Sequence, residues 1–247
     1  MMIEKKLDYN FIADRYEHFM KAAAHVKVEV RTILKSIGDV HGKSVLDVAC
    51  GNGYFGRKLR NCGAAKVVGI DISEKMIELA RAKSKQSGDD LEFHIRDVCD
   101  MESFGKFDLV VAAWLFNYAE SLKELESMFY NIARNLKPSG KLVAYTTSPD
   151  YRLEMGNYAV YGINILGKEP WKGGNRYQAE FLSTPPSPFT FYQWSREDYE
   201  SAVEKAGFSQ FEWKKTNILE SDIQLHSQDF WFLFQQNCLN TGLNCHY

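Results

Sequence analysis

Val45-Leu-Asp-Val-Ala-Cys-Gly-Asn-Gly-Tyr-Phe-Gly56, followed by the apolar run Lys66-Val-Val-Gly-Ile70 and then Asp71, decides the fold of this chain. Ser44 to Ala49 reads as a buried strand, Gly51 and Gly53 let the backbone turn and approach a ligand without Cβ clashes, and Tyr54 opens a helix. Asp71, at the carboxyl end of the next strand, is placed to accept from the two hydroxyls of a ribose. The combination reads as a strand-to-helix turn that seats a nucleoside-bearing cofactor.

Gly51-Asn-Gly53-Tyr-Phe-Gly56 also satisfies the dinucleotide pattern G-x-G-x-x-G. Asp47 argues against a nicotinamide dinucleotide, because a carboxylate four residues before the first glycine brings negative charge toward a pyrophosphate. A sulfonium and an ammonium would welcome it. Asp-x-x-x-Gly-x-Gly in this setting resembles the first signature of the class I S-adenosylmethionine methyltransferases, usually D-x-G-x-G-x-G, with Ala49 at the first glycine. The resemblance implies an α/β fold: a Rossmann-like seven-stranded sheet with helices on both faces. It implies S-adenosyl-L-methionine as cofactor and S-adenosyl-L-homocysteine as product. It further implies cofactor contacts from Asp47, Ala49, Gly51 and Gly53, and from Asp71, Ile72 and Met76. Asp97 and Val98 would meet the adenine, with Arg96 where the family often has glycine, and the carbonyls at Ala113 and Trp114 would receive the methionine ammonium.

The pattern of the remaining chain agrees. Leu91 to Ile95 reads as a third strand and Phe107 to Ala113 as a fourth. Ser121-Leu-Lys-Glu124 is a capping box opening a helix with Leu122, Leu125, Phe129, Ile132 and Leu136 on one face. Pro138-Ser-Gly140 ends it, and Lys141 to Thr147 supplies a fifth strand. Ser195 caps a helix through Ala206, and Phe208 to Lys214 reads as strand six. Phe230 to Gln236 is expected as strand seven, antiparallel between five and six by the resemblance, with Asn237 to Tyr247 a polar, frayed tail.

With 247 residues, 45% hydrophobic content and a net charge of −2, the composition is that of a globular domain without a cationic footprint for nucleic acid. No run of 18 apolar residues suggests a membrane span, and the first residues lack a signal-peptide core. Five cysteines without C-x-x-C spacing argue against disulfides and zinc, so no metal site and a cytoplasmic location are expected. Methyltransferases of this fold that act on exocyclic base amines carry (Asp/Asn/Ser)-Pro-Pro-(Tyr/Phe) after the fourth strand, where this chain has Trp114-Leu-Phe-Asn-Tyr118. Thr184-Pro-Pro-Ser187 lies elsewhere and reads as a loop.

Acceptor choice falls to the segments outside the cofactor signature. Within a single domain, residues 1–37 read as an N-terminal helical cap. There Tyr9 and Tyr16 match a Tyr-x6-Tyr pattern of small-molecule methyltransferases; they either approach the methionine end of the cofactor or simply pack the helix. Residues 148–194 read as a substrate-covering insertion with ten aromatics in 47 positions, about 21% against 14% for the whole chain. Such rings either stack on a planar acceptor or form the core of a small sheet. Gly173-Gly174 and Pro185-Pro186-Ser-Pro188 would hinge a lid. Tyr16, Trp114, Tyr118, Tyr161, Trp171, Tyr177 and Trp194 are the expected acceptor contacts. GGNRYQAEF from Gly173 and FTFYQWSREDYE to Glu200 resemble toxoflavin-synthase-like methyltransferases of secondary metabolism, implying N- or O-methylation of a heteroaromatic metabolite. His18, His25, His94 and His226 are the candidate bases, and spacing singles out none of them. Methyl transfer to RNA or protein, and cofactor binding without catalysis, remain as alternatives.

Overall fold

The computed structural model describes residues 19–20 and 23–247; Tyr9, Tyr16 and His18 lie outside the described residues. Strands and helices alternate from the outset: α1 (Ala24–Ile37), β1 (Ser44–Val48), α2 (Tyr54–Asn61), β2 (Lys66–Asp71), α3 (Glu74–Ser87), β3 (Glu92–Ile95) and β4 (Phe107–Ala113). Then come α4 (Leu122–Ala133) and β5 (Leu136–Thr147). Leu136 therefore belongs to a strand and not to the preceding helix; it pairs with Phe107 across a bulge, so the Pro138 region starts β5 irregularly.

β1 to β5 pair in parallel, and such strands are covered on both faces, which is why they read as continuous apolar runs. Alternate residues serve opposite layers. Val45, Leu109, Val111, Val143 and Tyr145 pack with Val26, Val30 and Ile33 of α1 and with Phe55 and Leu59 of α2. Leu46, Val48, Val110, Leu142 and Ala144 pack with Leu125, Phe129 and Ile132 of α4. The order of the seven-stranded sheet is β3-β2-β1-β4-β5-β10-β9, where β9 is Gln210–Lys214 and β10 is Asn240–His246. Chain progression reverses between β1 and β4, the switch point outside whose carboxyl ends open α/β sheets bind their ligands.

The sheet's last two strands correct the sequence reading. α5 (Arg196–Lys205) leads to β9 (Gln210–Lys214), then to α6 (Glu220–His226) and α7 (Gln228–Gln236). Phe230 to Gln236 is helix, with Trp231 and Phe234 buried three residues apart and Phe232 62% exposed. Seven apolar-rich residues fit either period, and Ser227, accepting from the Phe230 N–H, selects the helical one. The antiparallel strand between β5 and β9 is β10 (Asn240–His246), drawn from the segment read as a tail.

The insertion forms its own antiparallel sheet of β6 (Ile163–Trp171), β7 (Gly174–Phe181) and β8 (Ser187–Gln193). Trp171 pairs with Gly174, and Lys172 and Gly173, with φ of 46° and 95°, make the two-residue turn between them. The glycine pair is thus a tight hairpin end and not a hinge.

One buried acid stands out on α1. Glu29 is 1% exposed and accepts from the Tyr145 hydroxyl at 3.3 Å and from Asn240 Nδ2 at 3.0 Å. Burial pushes its carboxyl up to about 7, against the pull of those two donors. A carboxyl raised in the folded state stabilises most below the ordinary carboxylate range, and that contribution is lost as pH rises through about 7. Glu29→Gln mimics the protonated form, so its stability relative to wild type should rise by about 1–3 kcal/mol between pH 4.5 and 8. Urea melts of both proteins at the two pH values check this; a constant difference would mean Glu29 does not titrate in this range.

Candidate active site

After β1 the chain reverses through three left-handed residues, Ala49, Gly51 and Gly53, with φ of 53°, 54° and 77°. A Cβ on Gly53 would meet the Phe93 ring at 2.8 Å, whereas one on Gly51 would face open space, so Gly51 leaves room for close approach of a ligand. Ala49 occupies the left-handed region with a side chain, a strain of about 1–2 kcal/mol that a glycine would avoid. Cross-strand bonds hold the turn in place: Cys50 N–H to the Ile70 carbonyl at 2.9 Å, and Gly51 N–H to Asp71 Oδ2 at 2.8 Å.

Asp71 therefore ties the glycine turn to the end of β2. Its Oδ1 accepts from the Ser73 N–H at 2.8 Å, and each oxygen retains acceptor capacity for a hydroxyl. Ile72, next in the chain, leaves 56% of its surface exposed, an apolar face beside a polar anchor. Asp47 lies lower, 1% exposed beneath the turn, where it accepts from the Gly56 N–H at 3.0 Å and fastens α2 to β1. Burial pushes Asp47 up to about 7, and the neighbouring Asp71 adds to the push. Burial raises Asp71 as well. Two carboxyls under one turn disfavour a pyrophosphate and favour a cationic group.

The other expected cofactor residues occupy the same edge of the sheet, although not all of them face outward. Asp97 is half-buried just after β3, its Oδ1 accepting from the Cys99 N–H at 2.8 Å. Val98 is buried, and its carbonyl is gripped by Asn131 Nδ2 of α4 at 3.0 Å. Met76 is 3% exposed in the first turn of α3, so its side chain belongs to the interior. Ala113 ends β4, and Trp114 follows with φ of 57°, its N–H donating to the Tyr145 carbonyl at 2.7 Å. The half-buried Trp114 indole lies 6.2 Å from the Phe55 ring and edge-on to Tyr145 at 5.9 Å. A turn with room above Gly51, an acid at the end of β2 and an aromatic wall after β4 fit a nucleoside with a cationic tail.

The comparisons with known proteins agree. A methyltransferase-domain family model matches residues 45–140. The ribosomal protein L11 methyltransferase of Burkholderia vietnamiensis is 40% identical over 101 residues, 41% of this chain and 31% of that protein. The chain thus spans about a third of the length of these relatives. The demethylmenaquinone methyltransferase of Lactococcus lactis is 32% identical over 197 residues, 74% of this chain and 72% of that protein. The chain belongs to the class I S-adenosylmethionine-dependent methyltransferases. Solved methyltransferases share the fold of this one: one from Mesorhizobium loti covers 92% of the chain and 100% of its own at a TM-score of 0.66 and 20% identity. Another, from Listeria monocytogenes, covers 89% and 96% at 0.66 and 19%.

The residues expected to contact an acceptor divide into two groups. Trp114, Tyr118 and Trp171 are half-buried and stand at or beside the loop leaving β4. Trp171 Nε1 donates to the Glu120 carbonyl at 3.0 Å, and its ring carries the Arg176 guanidinium 4.6 Å from its centroid. Trp194, 1% exposed, donates to the neighbouring Ala119 carbonyl at 3.0 Å. Tyr177 is fully buried, stacked on Phe191 with centroids 4.8 Å apart, its hydroxyl donating to Gln193 Oε1. Tyr161 is 3% exposed, its hydroxyl donating to the Phe230 carbonyl. All three are thus core residues rather than open stacking surfaces: Tyr161 and Tyr177 pack in the insertion's own cluster, and Trp194 packs in the core of the main sheet.

Among the described residues, none of the candidate histidines stands out as a base. His25 is buried among Phe19, Tyr161 and Phe234, and burial lowers it to about 3, so it stays neutral. His94 lies beside Glu92 on the edge strand, and His226 stacks on Phe230. Among the described residues no group of three His, Cys, Asp or Glu side chains is placed to hold a metal ion. Sequence reasoning passed over Asn117 and Glu29. Asn117 is signalled by its place beside the apolar pair Leu115-Phe116, whereas Glu29, between Lys27 and Arg31, carries no sequence signal of burial.

Proposed function

We propose that the chain transfers a methyl group to a small planar aromatic or heteroaromatic metabolite, at nitrogen or oxygen. The observation that carries this reading is the Trp114 indole, set between Phe55 and Tyr145 at the carboxyl end of β4, at the sheet's switch point. Bound at the glycine turn, S-adenosylmethionine supplies a methyl group already activated by its sulfonium. The chain's part is then to seat the ribose on Asp71, align the acceptor against the β4 loop and exclude water with Trp114 and Tyr118. The name of the Lactococcus relative, demethylmenaquinone methyltransferase, agrees with a planar acceptor. So does the resemblance of residues 173–200 to toxoflavin-synthase-like enzymes. The free state of all five cysteines suits a reducing, cytoplasmic setting.

Two measurements test the reading. S-adenosylhomocysteine at 100 times its dissociation constant should stabilise the protein by about 2.7 kcal/mol, and NAD should leave the melting curve unmoved. The reverse pattern would restore a nicotinamide site. Acceptor binding should depend weakly on salt; a steep dependence would point to a polynucleotide acceptor instead.

A further inference from the structure

The loop leaving β4 carries a cost that folding does not require. Asn117 is 6% exposed, and its Oδ1 is sealed from solvent with no hydrogen-bond partner. A buried carbonyl left without a donor is destabilising. Other buried asparagines of the chain are paired: Asn131 donates to the Val98 and Cys99 carbonyls, Asn135 donates to the Asn131 carbonyl and accepts from the Phe104 N–H, and Asn240 donates to Glu29. Asn244 Oδ1 shares the defect, but in the middle of β10, between β5 and β9. Asn117 stands three residues past Trp114, at the sheet's switch point, between half-buried Trp114 and Tyr118. Its loop is also held from outside. Trp194 and Trp171 donate to successive carbonyls, Ala119 and Glu120, each at 3.0 Å. Neighbouring Phe116 is stacked on Phe129 in the core with centroids 4.1 Å apart. The segment is fixed on both sides of an amide whose oxygen nothing in the fold uses.

We propose that Asn117 is an acceptor-binding residue of this methyltransferase, its amide hydrogen-bonding the polar edge of the planar acceptor. The inference rests on the planar-acceptor reading above. Because Oδ1 has no bond to break, the amide turns about χ2 with little loss at that end, and Asn populates this torsion broadly. It can offer a carbonyl to a ring N–H or hydroxyl, or an NH2 group to a ring carbonyl. A site built around a buried polar group discriminates against analogues that leave the group unpaired, so Asn117 would also select among flat rings of similar size.

The test compares wild type with Asn117→Leu, using 1,4-dihydroxynaphthalene, lumazine and quercetin as probes and S-adenosylhomocysteine release as the signal. Cofactor affinity is measured by titration calorimetry and stability by melting. On the probe that wild type methylates, the variant should lose about thirtyfold or more in kcat/KM, as expected for a lost buried hydrogen bond. It should keep S-adenosylhomocysteine affinity within about twofold and melt no lower than wild type, since an apolar side chain removes the orphaned carbonyl. Unchanged turnover would overturn the proposal, and so would a parallel loss of cofactor affinity. If wild type methylates none of the three probes, the planar-acceptor reading fails, and this inference with it. Should Asn117→Leu not fold, Asn117→Ala is read in the same way.

Discussion

Asp71→Ala should weaken S-adenosylhomocysteine binding by about a hundredfold or more, roughly 3 kcal/mol, while the protein stays folded. The size follows from what the carboxyl does. One oxygen accepts from the Gly51 N–H and the other from the Ser73 N–H, so the side chain both sets the turn and presents acceptors to the ribose hydroxyls. Truncation removes the charge-assisted bonds to ligand and lets the turn relax from the geometry that receives it. Stability should fall by less. Burial raises the Asp71 carboxyl, so its ionised form is held at a cost, and removing it partly offsets the loss of its two backbone bonds. Titration calorimetry with a melting curve on the same sample separates the effects. Unchanged affinity would remove Asp71 from the cofactor site, and an unfolded variant would mean that the carboxyl's main task is the turn.

The cofactor half of this site was legible because it is local. The strand, the glycines and the acid at the end of β2 fall within 27 consecutive residues, Val45 to Asp71, and each carries a backbone reason. The helix starts were legible for the same reason. Ser195 and Asp198 complete a reciprocal capping box, and Ser121 Oγ accepts from the Glu124 N–H as its spacing predicts. What the sequence concealed depends on partners distant in the chain. Asn240 and Asn244 look like tail residues until β5 and β9 close around them, and Asn240 then becomes a donor to Glu29, 211 residues earlier. Phe230 to Gln236, expected as strand seven, is helix, and a short apolar run carries no decisive period to tell the two apart. Ala49 hid a left-handed backbone, since composition alone does not reveal φ.

Trp194→Ala should destabilise the protein by about 3–5 kcal/mol and lower Tm by about 10 °C or more, whereas Trp171→Ala should cost far less stability. Both indoles sit in the insertion and both donate to the β4 loop, so sequence gave no ground for ranking them. Burial ranks them. Trp194 is 1% exposed and packs in the main core with Tyr192, Tyr199 and Leu243, so its removal opens a cavity as well as freeing the Ala119 carbonyl. Trp171 is only partly buried at the edge of that cluster, and of the two cations over its ring Lys172 is exposed. The functional consequences should therefore be inverted. Trp171→Ala should leave a folded enzyme with unchanged S-adenosylhomocysteine affinity and a lower kcat/KM toward the acceptor, because the Glu120 end of the loop is released beside Asn117. Trp194→Ala should lose activity in proportion to the folded fraction. Melting curves, calorimetry and single-turnover rates on the two variants decide it. Equal stability losses would mean the insertion acts only as a packed core. A stable Trp194→Ala with normal turnover would mean that the Ala119 anchor is dispensable and that the β4 loop holds its shape without the insertion.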